Sequence, residues 1–235
     1  MKQPTFKQWT ALLQSLGIAK GEAAASFSQE AWLRQNLKEA HKNKLDLNML
    51  LTEITWVVLD TETTGFYPQQ GDKIISVACV KIKNGTNHGW YESFVNPNRS
   101  IPEHITQLTG IRDEDVLKAP TLDEVMPLLL QFLNECCVVG YHIQHDVQFI
   151  NHFLSRQYRS TLPQTAFELR QITEKLYKQP FPTLDDALSF HDIRCENRHT
   201  AKGDVEAMYQ LWLQLLEKLE NEKIATLYDL YVWLS

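Results

Sequence analysis

Asp60 and Glu62, in the stretch ITWVVLDTETTGFYP, stand two residues apart at the end of an apolar run. Ile54 to Val58 are mostly β-favouring and lead through Leu59 into Asp60. Side chains alternate along a strand, so residues i and i+2 share a face. The two carboxylates therefore project together from the end of what reads as a buried strand. Like charges at the edge of a core are costly unless a cation lies between them. Oxygen donors of this kind suit a hard divalent ion, Mg²⁺ or Mn²⁺.

Two more aspartates fall on apolar helix faces. If a helix begins near His145, Asp146 has Phe149, Ile150 and Phe153 on its own side, at i+3, i+4 and i+7. Asp204 has Met208, Leu211 and Leu215 at i+4, i+7 and i+11. A first-turn aspartate is favourable at a solvated helix start. That does not explain why both align with an apolar stripe, where charge rarely goes unpartnered. His199 precedes Asp204 by five residues. Five helical steps turn through about 500° at roughly 3.6 residues per turn. His199 therefore belongs to the loop before the helix, from which it can reach over the same site.

The run Asp60-Thr61-Glu62-Thr63-Thr64-Gly65, then Asp146 with Phe149 downstream, then His199 five residues before Asp204, resembles the three motifs of the DnaQ-like (DEDDh) 3′→5′ exonuclease family. Its best-known member is the proofreading epsilon subunit of bacterial DNA polymerase III. The resemblance extends from about Ile54 to about Leu219 and includes FVNPNRSIPEHITQLTGIRDEDVLKAPTLDEVM. It implies an RNase H-like α/β fold, a mixed β-sheet flanked by α-helices. It implies that Asp60, Glu62, Asp146 and Asp204 hold two divalent ions, that His199 is the general base on the attacking water, and that Thr63, Thr64 and Gly65 lie beside the terminal nucleotide. The implied activity is metal-dependent release of nucleoside monophosphates from a 3′ end. Single-stranded DNA is the leading substrate and RNA trimming the alternative. A non-catalytic interaction module on the same fold would be favoured by loss of a carboxylate, and all four are present.

The chain departs from the family at the second motif. Tyr141-His142-Ile143-Gln144-His145-Asp146 stands where relatives carry His-Asn-x-x-Phe-Asp. Tyr141 and His142 are thereby candidates for substrate contact, and His142 and His145 are rivals of His199. QTAFELRQITEKLY lacks the aspartate that many relatives place there, and no catalytic role falls to it.

The elements that must position these residues are legible in outline. ITWVVLD is a first strand. DKIISVACVKIKNG is a second, and its Asn84-Gly85 pair signals a hairpin into GWYESFVNP. Thr121 and Glu124 form a capping box for TLDEVMPLLLQFL, with Pro127 expected to strain or shift its first turns. CCVVGY is a short apolar strand of the kind found in sheets covered on both faces. Thr183 begins the helix TLDDALSF, so Asp185 and Asp186 are helix-start residues rather than ligands.

Composition bounds the rest. The 235 residues, 43% hydrophobic, suit an exonuclease domain over 51–235 with an N-terminal helical extension over 1–50. In SQEAWLRQNLKEAHKNKL, Trp32, Leu33, Asn36 and Leu37 share one side; that side can pack on the domain, cover an edge or bind a partner such as a polymerase. A net charge of −6 argues against a general nucleic-acid coat, but not against an enzyme that grips a chain end through bound metal. Arg198 and Lys202 read mainly as solvated charges, with phosphate contact the alternative. No apolar run is long enough to span a membrane, and the N-terminus carries no signal-peptide pattern. Cys79, Cys136, Cys137 and Cys195 form no C-x-x-C pair, so zinc is not expected and a reduced, cytoplasmic chain is.

Overall fold

The computed structural model describes residues 31, 33–42 and 45–235. Five strands form one sheet: β1 (Trp56–Thr63), β2 (Ile74–Lys83), β3 (Thr86–Phe94), β4 (Cys137–Gly140) and β5 (Ala166–Glu168). Their order is β3-β2-β1-β4-β5. β1, β2 and β3 are antiparallel neighbours, whereas β4 runs parallel to β1 and β5 parallel to β4. The β2–β3 turn is Asn84-Gly85, both in the left-handed region, which matches the twist of a two-residue hairpin. The helices are α1 (Glu103–Thr109), α2 (Asp113–Val116), α3 (Leu122–Phe132), α4 (Gln144–Tyr158), α5 (Leu169–Tyr177), α6 (Leu184–Phe190), α7 (Ala201–Asn221) and α8 (Leu227–Leu234). This is the RNase H-like mixed sheet with flanking helices that the motifs imply.

Residue parity along β1 decides what each face meets. Trp56 and Val58 join one apolar cluster with Val205, Met208, Leu211 and Trp212 of α7. Val57 and Leu59 join the other, with Leu129 of α3 and Phe149 and Ile150 of α4. Trp56 meets Trp212 edge-on at 4.7 Å between ring centroids. β1 is thus buried on both faces, and its alternation carries on into the polar residues that follow.

Three expectations need comment. The capping box at α3 forms, with the Thr121 amide donating to Glu124 Oε2 at 2.8 Å. Pro127 neither breaks nor delays that helix. The carbonyl that loses its i+4 donor belongs to Asp123, an exposed residue that water can serve. The N-terminal segment packs on the domain where it is described: residues 33–40 are helical, and Leu33 and Leu37 are buried in the α3–α4 cluster. Trp32 lies outside the described residues. Residues 47–51 are joined by main-chain hydrogen bonds to the start of α8, among them Leu51 N–H to Ala225 O at 2.8 Å. No described helix is long and apolar enough to cross a membrane, and all four cysteines are unpaired thiols.

Candidate active site

Asp60 and Glu62 lie on the Trp56/Val58 parity of β1, which faces α7. Asp204 sits in the first turn of α7, at the head of the buried stripe Met208, Leu211 and Leu215. Among the described residues, these three carboxylates form a group whose ligand oxygens all lie within 4.8 Å of one another. Asp146 arrives from the opposite parity. It is in the first turn of α4, almost fully buried. Its Oδ1 accepts the Thr61 amide at 2.8 Å and the Thr61 hydroxyl at 2.6 Å.

The topology explains that contact. β1 pairs with β4 only from Trp56 to Val58, so beyond Leu59 its edge on that side is open. The unpaired Thr61 amide needs an acceptor there, and Asp146 supplies it. The sequence left Thr61 without a role; the structure makes it the link between the first and second motifs.

The electrostatics are those of crowded, dry carboxylates. Burial, reinforced by Asp146, Glu62 and Asp204, holds Asp60 well above the usual carboxylate range. Burial, then Asp204 and Asp146, push Glu62 up to about 8, with Arg198 pulling the other way. Burial raises Asp146 to about 7 against the two Thr61 hydrogen bonds, which favour its charged form. Such a set binds protons at neutral pH unless a cation replaces them. The donors are all hard oxygens, so Asp60, Glu62 and Asp204 fit a divalent metal.

The third motif is built by close packing. Gly203, in the first turn of α7, lies under the Asn197 carbonyl; a Cβ there would stand 2.0 Å from that oxygen. The Thr200 hydroxyl donates to the same carbonyl at 2.8 Å and accepts the Gly203 amide at 3.1 Å. This folds residues 197–200 onto the helix start. His199 emerges exposed, with φ 61° and its amide donating to Asp204 Oδ1 at 3.3 Å. It is a loop residue at the rim of the cluster, as its spacing implied.

Arg198 does not fit the reading of a solvated charge. Its side chain is only 20% exposed, and it donates to Asp204 through Nη1 and to Asp185 Oδ1 through Nε at 2.6 Å. Asp185 does begin α6, but it also holds this arginine, a contact no local pattern announced. Lys202 pairs with Glu92 at 3.1 Å, both half exposed.

The substrate-contact candidates divide. Thr63 and Thr64 are buried at the end of β1, and Gly65 follows where a Cβ would stand 2.4 Å from Asp72 Oδ2. Asp72 in turn accepts the Tyr67 amide at 3.0 Å, which closes this loop on itself. Tyr141 is buried, and its hydroxyl donates to the Phe181 carbonyl, so its polar atom is spent inside the fold. His142 is exposed, with its amide donating to Glu168 Oε1 at 2.8 Å and its ring Nε2 3.3 Å from the Pro182 carbonyl oxygen. His145 is half-buried between Phe66 and Phe149, with Nε2 3.2 Å from the Thr63 hydroxyl. Burial lowers its pKa, and the nearby His142 adds to this.

This sheet order, with carboxylates converging at the end of β1 and a histidine over the α7 start, defines a nuclease of the RNase H-like class. The family model described as "Exonuclease" matches residues 57–212. The chain belongs to this family and is a 3′→5′ exonuclease. It is 30% identical over 175 residues to the DNA polymerase III subunit epsilon of Aquifex aeolicus, covering 72% of this chain and 84% of that protein. It is 33% identical over 167 residues to a PolC-type DNA polymerase III of Caldanaerobacter subterraneus, covering 71% of this chain but only 12% of the polymerase. Among solved structures, the nuclease domain of 3′hExo, a DEDDh family member bound to rAMP, shares the fold with a TM-score of 0.63 at 18% identity, over 70% of this chain and 92% of that one.

Proposed function

We propose that the chain removes nucleotides from the 3′ end of single-stranded DNA, using Mg²⁺ or Mn²⁺. The observation that carries this reading is the packing of Asp60, Glu62 and Asp204 oxygens within 4.8 Å at the end of β1, with Asp146 fastened beside them. DNA is favoured because the two sequence relatives named above, at 30% and 33% identity, are DNA polymerase III proteins.

Asp60, Glu62 and Asp204 would hold the metal directly, and Asp146, with one oxygen given to Thr61, would contribute through its other oxygen. Divalent metal held there would supply positive charge to the developing negative charge of a phosphodiester displacement. His199, exposed at the rim, takes the proton of the attacking water. Thr63, Thr64 and Gly65 border the terminal nucleotide, and the tight loop closed by Asp72 keeps that wall in place. His142, exposed beside α4, is a second candidate contact. A polymerase partner belongs to this reading, docked through the N-terminal extension outside its buried Leu33–Leu37 face.

The test is digestion of 5′-labelled single-stranded DNA and RNA side by side, with Mg²⁺, with Mn²⁺ and in chelator. The expected result is a DNA ladder shortening from the 3′ side, with no products in chelator. Early release of the 5′ label as a mononucleotide, or full activity in chelator, contradicts the proposal. A ladder from RNA alone reassigns the substrate.

A further inference from the structure

Asp204 serves two masters. Its carboxylate belongs to the group formed with Asp60 and Glu62, yet its Oδ1 also accepts Arg198 Nη1. The guanidinium is planar, permanently charged and forked, so it can hold two carboxylates at once. It does so here: Nε and Nη2 reach Asp185 at 2.6 and 3.4 Å while Nη1 reaches Asp204. Asp185 is 58% exposed at the start of α6, and Asp204 only 11%, so the arginine bridges a solvated acid and a dry one.

Two cations compete for one carboxylate. We propose that Arg198 is a resident counter-cation of the carboxylate group and that Asp185 shares its charge with Asp204, so that this pair sets the affinity for divalent metal. Arg198 is then a positioning residue acting through Asp204, and Asp185, outside the metal-binding group, tunes it from the far end of the fork. This rests on the metal-dependent reading above.

The signs distinguish this from a mere clamp on the 197–200 loop. Removing Arg198 frees Asp204, so Arg198→Gln should bind metal more tightly. Removing the Asp185 charge leaves the guanidinium with Asp204 as its bonded carboxylate among the described residues, so Asp185→Asn should bind metal more weakly. The double variant should behave like Arg198→Gln, because Asp185 acts only through the arginine. A loop clamp predicts weaker binding for all three. A hydrogen bond between charged groups contributes about 1.5–3 kcal/mol, which corresponds to roughly a tenfold change or more in affinity.

The experiment is calorimetric titration of Mn²⁺ into the 235-residue protein stripped with chelator. Arg198→Gln should lower the Mn²⁺ Kd by about tenfold, and Asp185→Asn should raise it. Arg198→Lys serves as a second variant: it keeps a cation near Asp204 but loses the fork, so it should not reproduce the gain of Arg198→Gln. Weaker or unchanged binding by Arg198→Gln, confirmed as folded by circular dichroism, overturns the inference while leaving the nuclease reading intact. If Arg198→Gln does not fold, unchanged or tighter binding by Asp185→Asn overturns it. Absence of Mn²⁺ binding by the wild-type protein overturns both.

Discussion

Asp146→Asn should make the metal-free protein more stable while destroying its turnover. The Asp146 carboxyl is raised from 3.8 to about 7, chiefly by burial, with the two Thr61 hydrogen bonds opposing the rise. A carboxyl whose folded pKa exceeds its unfolded value contributes stability that is full below about pH 4 and is lost as pH rises through about 7. At about 1.36 kcal/mol per unit, ionised Asp146 costs the folded state roughly 4 kcal/mol at pH 8 and under about 2 kcal/mol at pH 5. Asparagine keeps an oxygen to accept the Thr61 amide and hydroxyl and carries no charge. Urea unfolding in chelator should therefore show the variant ahead of wild type by a few kcal/mol at pH 8, with a smaller lead at pH 5. Digestion of a 5′-labelled oligonucleotide with Mg²⁺ should show no turnover, because the site has lost a charge it uses. A variant less stable than wild type at pH 8 would refute the account of Asp146 as a buried charge kept for function. Retained turnover would refute its place in the chemistry.

Three other outcomes are expected. His199→Ala should lose about 10²–10⁴-fold in kcat, as loss of a general base does, with Mn²⁺ affinity unchanged by calorimetry; near-normal kcat, together with an inactive His142→Ala or His145→Ala, would move the base to the second motif. Gly203→Ala drives a Cβ toward the Asn197 carbonyl, so it should displace the His199 loop and cut kcat at a stability cost of about 1–3 kcal/mol; wild-type kinetics would show that the loop's seat on α7 is unimportant. Deleting residues 1–44 uncovers the pocket filled by Leu33 and Leu37 and should lower stability by about 1.5–3 kcal/mol per leucine, while turnover on short substrates survives in the folded fraction; an unchanged denaturation midpoint would mean that those leucines contribute nothing.

The site was legible where its logic is local. Asp60 and Glu62 share a parity that the sequence displays directly, and Asp146 and Asp204 each head a stripe of helical period, buried throughout for Asp204 and at Phe149 and Ile150 for Asp146, with Phe153 partly buried. The capping box at Thr121, the helix start at Thr183 and the Asn84-Gly85 turn are set by near neighbours, and all three formed. What sequence could not supply were contacts fixed by the third dimension. Thr61 meets Asp146 because β4 is short and leaves the β1 edge open, and strand length in space is not a local property. Arg198 finds Asp185 thirteen residues away across a loop, and nothing in the composition of either segment marks the pair. Tyr141 replaces a polar family residue and so looked available to substrate, but its hydroxyl finds a carbonyl forty residues downstream. Pro127 was expected to disturb α3, but the one hydrogen bond it removes belongs to a carbonyl that solvent can reach.

The seam between β1 and α4 has a kinetic consequence. Its bond runs from a main-chain amide, that of Thr61, to a buried carboxylate, so it opens only when strand and helix part. The loop bearing His199 is held instead by the Thr200 cap, the Gly203 contact and the bridge from Arg198 to Asp185 and Asp204. Local openings in one protein can differ widely in free energy. The Thr61 amide is therefore a natural reporter for the inner half of the site: its exchange with deuterated water follows the parting of β1 from α4.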